Sequence, residues 1–528
     1  MIAARRAVAA ACALVAFALG TIAAFHYHRI GLTLSHYDAR GHLVVARRII
    51  DSITPGWQQV GAVWLPLPHL LNAIPAQIDL FYRTGASAVA FSIASFAVAD
   101  AAIAFIVVAL TRSAGAGVAA AAVFALNPNV LYLQSTPMTE PLMLALTMAS
   151  VATLIAWCET APLDAPLNAR LKPPASAGRR EAVSARLAEA LAEADAPSAR
   201  RRRRASVVGW LFALACMTRY EAWPVAASGL AAAAWTLWRS GEQPGSALRR
   251  VGTIAFYPAM AIVAFLVFSR VVGGEWFVAS GFFVPDNKAL GDPVLAAAEI
   301  WWGARTLSGS LLVAIGAAGT ILVGLVGIAS RRHTAWLIAL SPLATAVIPW
   351  AAFVKGHPFR IRYMVSLVAV EAIGAGVAAG LSRRTRAFAS LVVLAIVAYE
   401  LHPLAPDAPM VVEAQWDRPN VPARARVTAC LGAPAAGKKI MASMGSLGHY
   451  MQETSRAGFT IRDFLHEGNG DIWLAALESP APLVDWILIE EKAEGGDMLA
   501  ARARANPAFL KGYTRVCEGA GLALYRRN

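Results

Sequence analysis

Apolar runs of about the length that crosses a bilayer recur along the first 402 residues, and no water-soluble core can bury so many. They lie at Ala7 to Phe25 and at about 86–110, 115–133, 139–158, 206–218, 222–238, 251–271, 308–329, 335–353, 364–381 and 387–402, eleven in all. A spanning helix needs about 20 apolar residues. Several runs are shorter, which predicts helices that stop at a water-filled cavity, where broken backbone is tolerated. The chain is 57% hydrophobic and 15% charged over 528 residues, so lipid must cover much of it. The expected fold is an α-helical polytopic membrane protein, about eleven transmembrane helices over residues 1–402, with a small soluble α/β domain over 403–528.

A formal charge of +14 would suggest nucleic acid in a soluble protein. Here the arginines cluster between apolar runs, the pattern that orients helices in a membrane, and no nucleic-acid partner is expected. With the N-terminus in the cytoplasm, the inside loops carry Arg112, Arg200 to Arg204, Arg239 with Arg249 and Arg250, Arg331 with Arg332, and Arg383, Arg384 and Arg386. Arg5 and Arg6 before the first run have the form of a signal peptide, but the run's length and the lack of a small-x-small site predict an uncleaved anchor. The setting is a bacterial-type inner membrane, with a first extracytoplasmic loop over 26–85 and a cytoplasmic linker over 159–205 that holds an amphipathic stretch at Glu181 to Ala194.

With eleven spans the tail falls outside. Lys439 to Ser443 and Asp485 to Glu490 read as strands, Asp497 to Ala505 as a helix, and Tyr513 to Cys517 with Leu522 to Arg526 as a hairpin. Gly445-Ser-Leu-Gly-His449 lacks both a P-loop lysine and GxGxxG spacing, so it reads as an ordinary strand-to-helix turn. Five cysteines exclude a disulfide scaffold, and none sits in a CxxC or at zinc spacing. Cys430 and Cys517 are the tail's only thiols; in an oxidising space they can pair or stay free.

The polar residues with chemistry in them gather beside the spans on one side. Asp38, in Ser35-His36-Tyr37-Asp38-Ala39-Arg40-Gly41-His42, can take a proton from an acceptor hydroxyl or amine; it can equally be a helix-start acid paired with Arg40. Trp64, in the proline-rich segment that ends at His69, suits headgroup level. Asn127-Pro128 breaks one helix, and Thr139-Glu140-Pro141 starts the next, with Glu140 favoured by the dipole. Arg219 and Glu221 sit between two short spans, where ionisable groups cost about 2.5 to 3.5 kcal/mol each and so mark function by default. Lys355, His357, Arg360 and Arg362 run against the orienting bias, and the forks of Arg360 and Arg362, with Tyr363 nearby, can hold a phosphate at the bilayer edge.

The order of these features resembles the GT-C membrane glycosyltransferases, in particular the bacterial relatives of protein O-mannosyltransferases and lipid A aminoarabinose transferases. Tyr37-Asp38, Trp64-Leu-Pro-Leu, Asn127-Pro through Glu140-Pro, Thr218-Arg-Tyr-Glu221, Arg360 to Tyr363 and a terminal outside domain carry the likeness. It implies a sugar carried on a polyprenyl phosphate, with Asp38 as the first-loop catalytic acid. Arg360 and Arg362 would receive the donor phosphate, and Arg219 and Glu221 would line the cavity. Many relatives carry two adjacent acids where Asp38 is followed by Ala39, so no metal is assigned, and a divalent metal stays an open alternative as the sole cofactor.

The expected reaction is an inverting single displacement on the extracytoplasmic face. Asp38 acts as general base, Arg360, Arg362, Tyr363 and His357 serve the donor phosphate, and Glu140, Arg219, Glu221, Trp64 and His69 line the cavity. The acceptor, whether protein, lipid or polysaccharide, does not follow from the resemblance. The rival reading is a transporter or flippase for a lipid-linked or anionic solute, against which the chain shows no internal hydropathy repeat.

Overall fold

The computed structural model describes residues 2–159, 203–277, 287–331, 333–492 and 496–528. Residues 160–202 of the expected linker lie outside them, and with these the stretch at 181–194 and Arg200 to Arg202. The first half of the chain forms α1 (Ile2–Arg29), α2 (Tyr37–Arg48), α3 (Leu67–Asn72), α4 (Asp79–Thr84), α5 (Ala86–Thr111), α6 (Ala114–Ala125), α7 (Pro128–Leu133) and α8 (Glu140–Glu159). After these come α9 (203–216), α10 (Ala222–Arg239), α11 (Pro244–Gly273), α12 (Pro293–Ser308), α13 (Ser310–Ala329), α14 (Val347–Val354), α15 (Val365–Gly380) and α16 (Arg386–Glu400).

All eleven apolar runs are helical. Seven stretches are long and apolar enough to cross a membrane by length and composition: Ala3–Arg29, Ala86–Thr111, Glu140–Glu159, Pro244–Gly273, Ser310–Ala329, Thr334–Val354 and Ile361–Gly380. The run at 115–133 breaks where Pro128 removes a backbone donor, and Asn127 caps α7 by accepting from the amides of Asn129 and Val130 at 2.9 and 3.3 Å. α12 lies outside the expected runs because Glu299 and Arg305 interrupt its apolar pattern. Its start is fixed by Asp292, which accepts from the amides of Val294 and Leu295 at 2.9 Å each.

α15 is the most enclosed of the spans, packed against α5, α6, α13 and α16. Glycine sets its spacing from α13: a Cβ on Gly319 would lie 1.8 Å from the carbonyl oxygen of Gly374, so the two backbones touch there.

In the tail, α17 (Pro409–Glu413) and α18 (Val421–Ala429) lead into a five-stranded sheet of β1 (Ile440–Ala442), β2 (Phe464–Leu465), β3 (Trp486–Glu490), β4 (Tyr513–Gly519) and β5 (Leu522–Arg527). The order is β2-β1-β3-β5-β4, with β1 parallel to β2 and β3 and the β4–β5 hairpin antiparallel. The expected strand-to-helix turn after β1 opens α19 (Met444–Glu453), and the later helices are α20 (Asp471–Glu478) and α21 (Met498–Ala505). Cys430 is joined to Cys517.

The first loop and the tail share one apolar core. Leu43, Val44, Ala46 and Tyr82 pack with Tyr450, Phe464, Leu488 and Leu524. Polar contacts close the seam: Arg40 pairs with Glu453, the Gln59 amide donates to the Gly468 carbonyl at 2.6 Å, and the Ile461 amide donates to Asp51 at 3.2 Å. Loop and tail therefore lie on the same side of the bundle, and the tail covers α2 from above.

Candidate functional site

The site starts with α2. His36 caps the helix, its Nδ1 accepting from the amide of Asp38 at 3.1 Å, so Asp38 sits in the first turn, where the helix dipole favours a carboxylate. Its side chain does not turn to Arg40, which has gone to Glu453. It pairs with Arg362, brought in by the 3₁₀ turn Ile361–Met364 just before α15. Both members are buried. Burial alone would push the Asp38 carboxyl up, but the Arg362 guanidinium outweighs it and holds the carboxyl well below the usual carboxylate range. Asp38 is thus charged and, while paired, a weak base.

A second charged group lies beside the first. Arg219, in the turn between α9 and α10, pairs with Glu221 at 2.6 Å and with Glu140, at the start of α8, at 2.8 Å. It also donates to the hydroxyl of Thr139 at 3.2 Å. Tyr363 joins the two groups: its ring lies 5.1 Å from the Arg362 guanidinium carbon and 6.0 Å from that of Arg219. Its hydroxyl is 3.4 Å from Nε2 of His357. Two guanidiniums against three carboxylates leave the group short of one positive charge, yet the arginines' fork geometry suits a phosphate that displaces a carboxylate.

Arg360 stands apart from Arg362. Arg360 is extended whereas Arg362 lies within the 3₁₀ turn, so the two side chains leave the backbone differently, and the guanidinium of Arg360 lies over the Trp416 ring at 4.9 Å. It lines a small open cleft with Ser35, His36, Tyr37, Glu413 and Trp416. Glu413 holds the backbone here by accepting from the Ile361 amide at 2.8 Å. The two arginines read together from the sequence thus face different surroundings, one inside the ion-pair group and one at the cleft.

Trp64 and His69 join α2 through a residue the sequence reading passed over. His42, one turn after Asp38, packs on Trp64 with ring centroids 4.1 Å apart, and its Nδ1 is 3.0 Å from Nε2 of His69. Gly41 permits this contact, since a Cβ there would sit 3.0 Å from the Trp64 ring. Burial pushes the imidazoles of His42 and His69 down, that of His69 to about 3 with Arg48 adding to the effect, so both are neutral. The signal in the sequence was the i, i+4 spacing of Asp38 and His42 on a short helix. Among the described residues no group of three or more His, Cys, Asp or Glu side chains converges as a metal's ligands would.

The chain's course is similar to that of two solved structures. One is the archaeal oligosaccharyltransferase AglB from Archaeoglobus fulgidus, in complex with an inhibitory peptide and a dolichol-phosphate: TM-score 0.46 and 13% identity over 97% of this chain and 74% of that one. The other is the Archaeoglobus fulgidus oligosaccharyltransferase tethered to an acceptor peptide, with TM-score 0.45 and 13% identity over 96% of this chain and 74% of that one. No protein-family model matches the chain, and no curated protein matches its sequence.

Proposed function

We propose that the chain is a membrane glycosyltransferase that moves a sugar from a polyprenyl-phosphate donor to a protein, lipid or glycan acceptor on the extracytoplasmic face, with inversion. The observation that carries the reading is the buried Asp38–Arg362 pair, assembled from the first loop and the entry to a late span and set beside Arg219, Glu140 and Glu221. Intramembrane and membrane-edge charges of this density are costly to keep for structure alone.

The pairing also supplies a sequence of events. A donor phosphate competes with Asp38 for the fork of Arg362. As Arg362 turns to the phosphate, Asp38 loses the neighbour that depresses its basicity and becomes able to take the acceptor's proton. The acceptor atom bonds to the anomeric carbon, the carbon–oxygen bond to phosphate breaks, and its electron pair leaves with the lipid phosphate. Arg362 and the His357–Tyr363 pair stabilise that charge, with Arg360 at the cleft mouth. Glu140, Arg219, Glu221 and Trp64 contact the sugar.

The test is to incubate purified protein with a panel of radiolabelled polyprenyl-phosphate sugars and peptide, lipid and glycan acceptors. Release of the lipid phosphate with transfer of label is expected. No release from any donor would overturn the reading. The assigned face is checked by a reporter fused after Asn528, which should be active outside the cytoplasm.

A further inference from the structure

The 16 residues of α12 reach about 24 Å, short of the roughly 30 Å of hydrocarbon that a span crosses. Both of its ends are tied to the ends of spans. Before it, the Gly291 amide donates at 2.8 Å to the carbonyl of Val354, the last residue of the span Thr334–Val354. Trp350 of that span donates through Nε1 to the Pro293 carbonyl at 3.0 Å. After it, Gly309 alone separates Ser308 from α13, whose first turn is held by Glu400 at the end of α16, accepting from the amides of Leu311 and Leu312 at 2.8 Å each. A helix anchored at both ends to one rim of the bundle runs along that rim, not down through it. The rim is the one that carries the site: a Cβ on Gly303 would lie 2.7 Å from the terminal methyl of Met364, and the Trp302 ring is 5.3 Å from that of Phe359.

The two faces of α12 differ. Ala296, Gly303, Ala304 and Leu307 are buried against the bundle. Val294, Ala298 and Trp301, four and three residues apart, share the opposite face with Trp302 beside them, and all four are exposed. This apolar face continues past Gly309 into Leu311 and Ile321, exposed on the span α13. Two more exposed tryptophans mark the same level: Trp350, and Trp276 just past the end of α11, where the neighbouring Phe277 packs on Tyr220 of the site turn with ring centroids 5.0 Å apart. Tryptophans collect where hydrocarbon meets headgroups.

We propose that α12 lies flat in the headgroup–acyl boundary of the bilayer, docked on lipid through Val294, Ala298, Trp301 and Trp302, a placement that does not depend on the reaction catalysed. Through Gly303 the helix then fixes the height of the Ile361–Met364 turn, and so holds Arg362 at the level of the lipid headgroups.

The test uses the full-length protein in phosphatidylcholine bilayers with a nitroxide placed in turn on Val294→Cys, Ala298→Cys and Trp301→Cys. The native unpaired Cys12, Cys158 and Cys216 are buried, so the reagent reaches the introduced thiol. Oxygen should relax all three labels more strongly than a water-soluble nickel chelate does, and all three should report the same depth, about 5 to 10 Å below the headgroup boundary. Depths that step by about 1.5 Å per residue, about 10 Å between Val294 and Trp301, would show a helix entering the bilayer end-on and overturn the proposal. Labels relaxed mainly by the nickel chelate would place the face in water, and labels reached by neither would place it under a second copy or another protein; each overturns the proposal and leaves the glycosyltransfer reading intact.

Discussion

The two faces of α2 are equally buried but spend their charge differently. On one, Arg40 meets Glu453, Arg47 meets Asp51 and Asp79 at 2.9 and 2.7 Å, and Arg48 donates to the carbonyls of Gln59 and Val60. On the other, Asp38 meets an arginine 324 residues away, and His42 meets a second neutral imidazole, His69, at 3.0 Å. The first face is matched by fixed groups of the loop and tail, so its charges hold the tail in place. The second keeps groups that a ligand can re-pair. A charge in a buried position thus says little about its role until its partner is known.

The largest effect that would separate the faces is on turnover. Asp38→Asn keeps the size and most of the hydrogen bonding to Arg362 but removes the base, and should lower turnover by about 10² to 10⁴. Turnover near that of the wild type in the donor assay would make the two faces equivalent and end the proposed mechanism. Glu140→Gln is the companion variant: a capping acid predicts a mild loss, a second catalytic acid a severe one.

Arg362→Gln should reduce the use of donor by about ten- to a hundred-fold, the value of one charge-assisted phosphate contact of about 1.5 to 3 kcal/mol. Arg360→Gln, facing Trp416, should reduce it less. Equal losses in the donor KM would show that both arginines reach the phosphate and that the split is confined to the resting protein.

On the matched face, Arg40→Gln leaves Glu453 without its partner and should cost about 1 to 3 kcal/mol of stability, read as earlier proteolysis of the tail in urea. Turnover at saturating donor should stay near that of the wild type. A turnover loss as deep as that of Asp38→Asn would erase the comparison.

The smallest effect concerns pH. His69 is held neutral by burial and Arg48, down to about 3, whereas in the unfolded chain it titrates near 6.5. Below about 6.5 the unfolded state therefore binds the extra proton, and loop stability should fall as pH drops towards 3. The buried His42 and His466 act in the same sense. The protection factors of the α2 and α3 amides, the intrinsic exchange rate at each pH divided by the observed rate, should fall on acidification, and less so in His69→Gln. Protection factors that do not change with pH would show that His69 is not the sensor.

The spans were legible because lipid imposes long apolar runs, and the sheet because the alternating segments near 440, 486 and 513–527 have strand periodicity. The two-residue β2 was too short to leave a pattern, and α12 was masked by Glu299 and Arg305. The polar residues that collect at the site could be named in advance, since charge beside a bilayer is costly. Their partners could not. Sequence adjacency suggested Asp38 with Arg40 and Arg360 with Arg362, whereas helix geometry sends position 40 to the opposite face from 38, and the change from extended backbone at Arg360 to the 3₁₀ turn at Ile361–Met364 parts 360 from 362. The pairing of Cys430 with Cys517 was open for the same reason: composition cannot bring two distant segments together.

The seam between loop and tail also sets a clock. Asp51 is translated early but meets the amide of Ile461, 410 residues later in the chain. At about 5 to 20 residues per second, the first loop waits roughly 20 to 80 s for the segment that completes it. Throughout that interval Leu43 and Val44 on the apolar flank of α2 have Tyr82 of the same loop beside them but not Tyr450, Phe464, Leu488 and Leu524 of the tail, so their cover is completed only when the last fifth of the chain arrives.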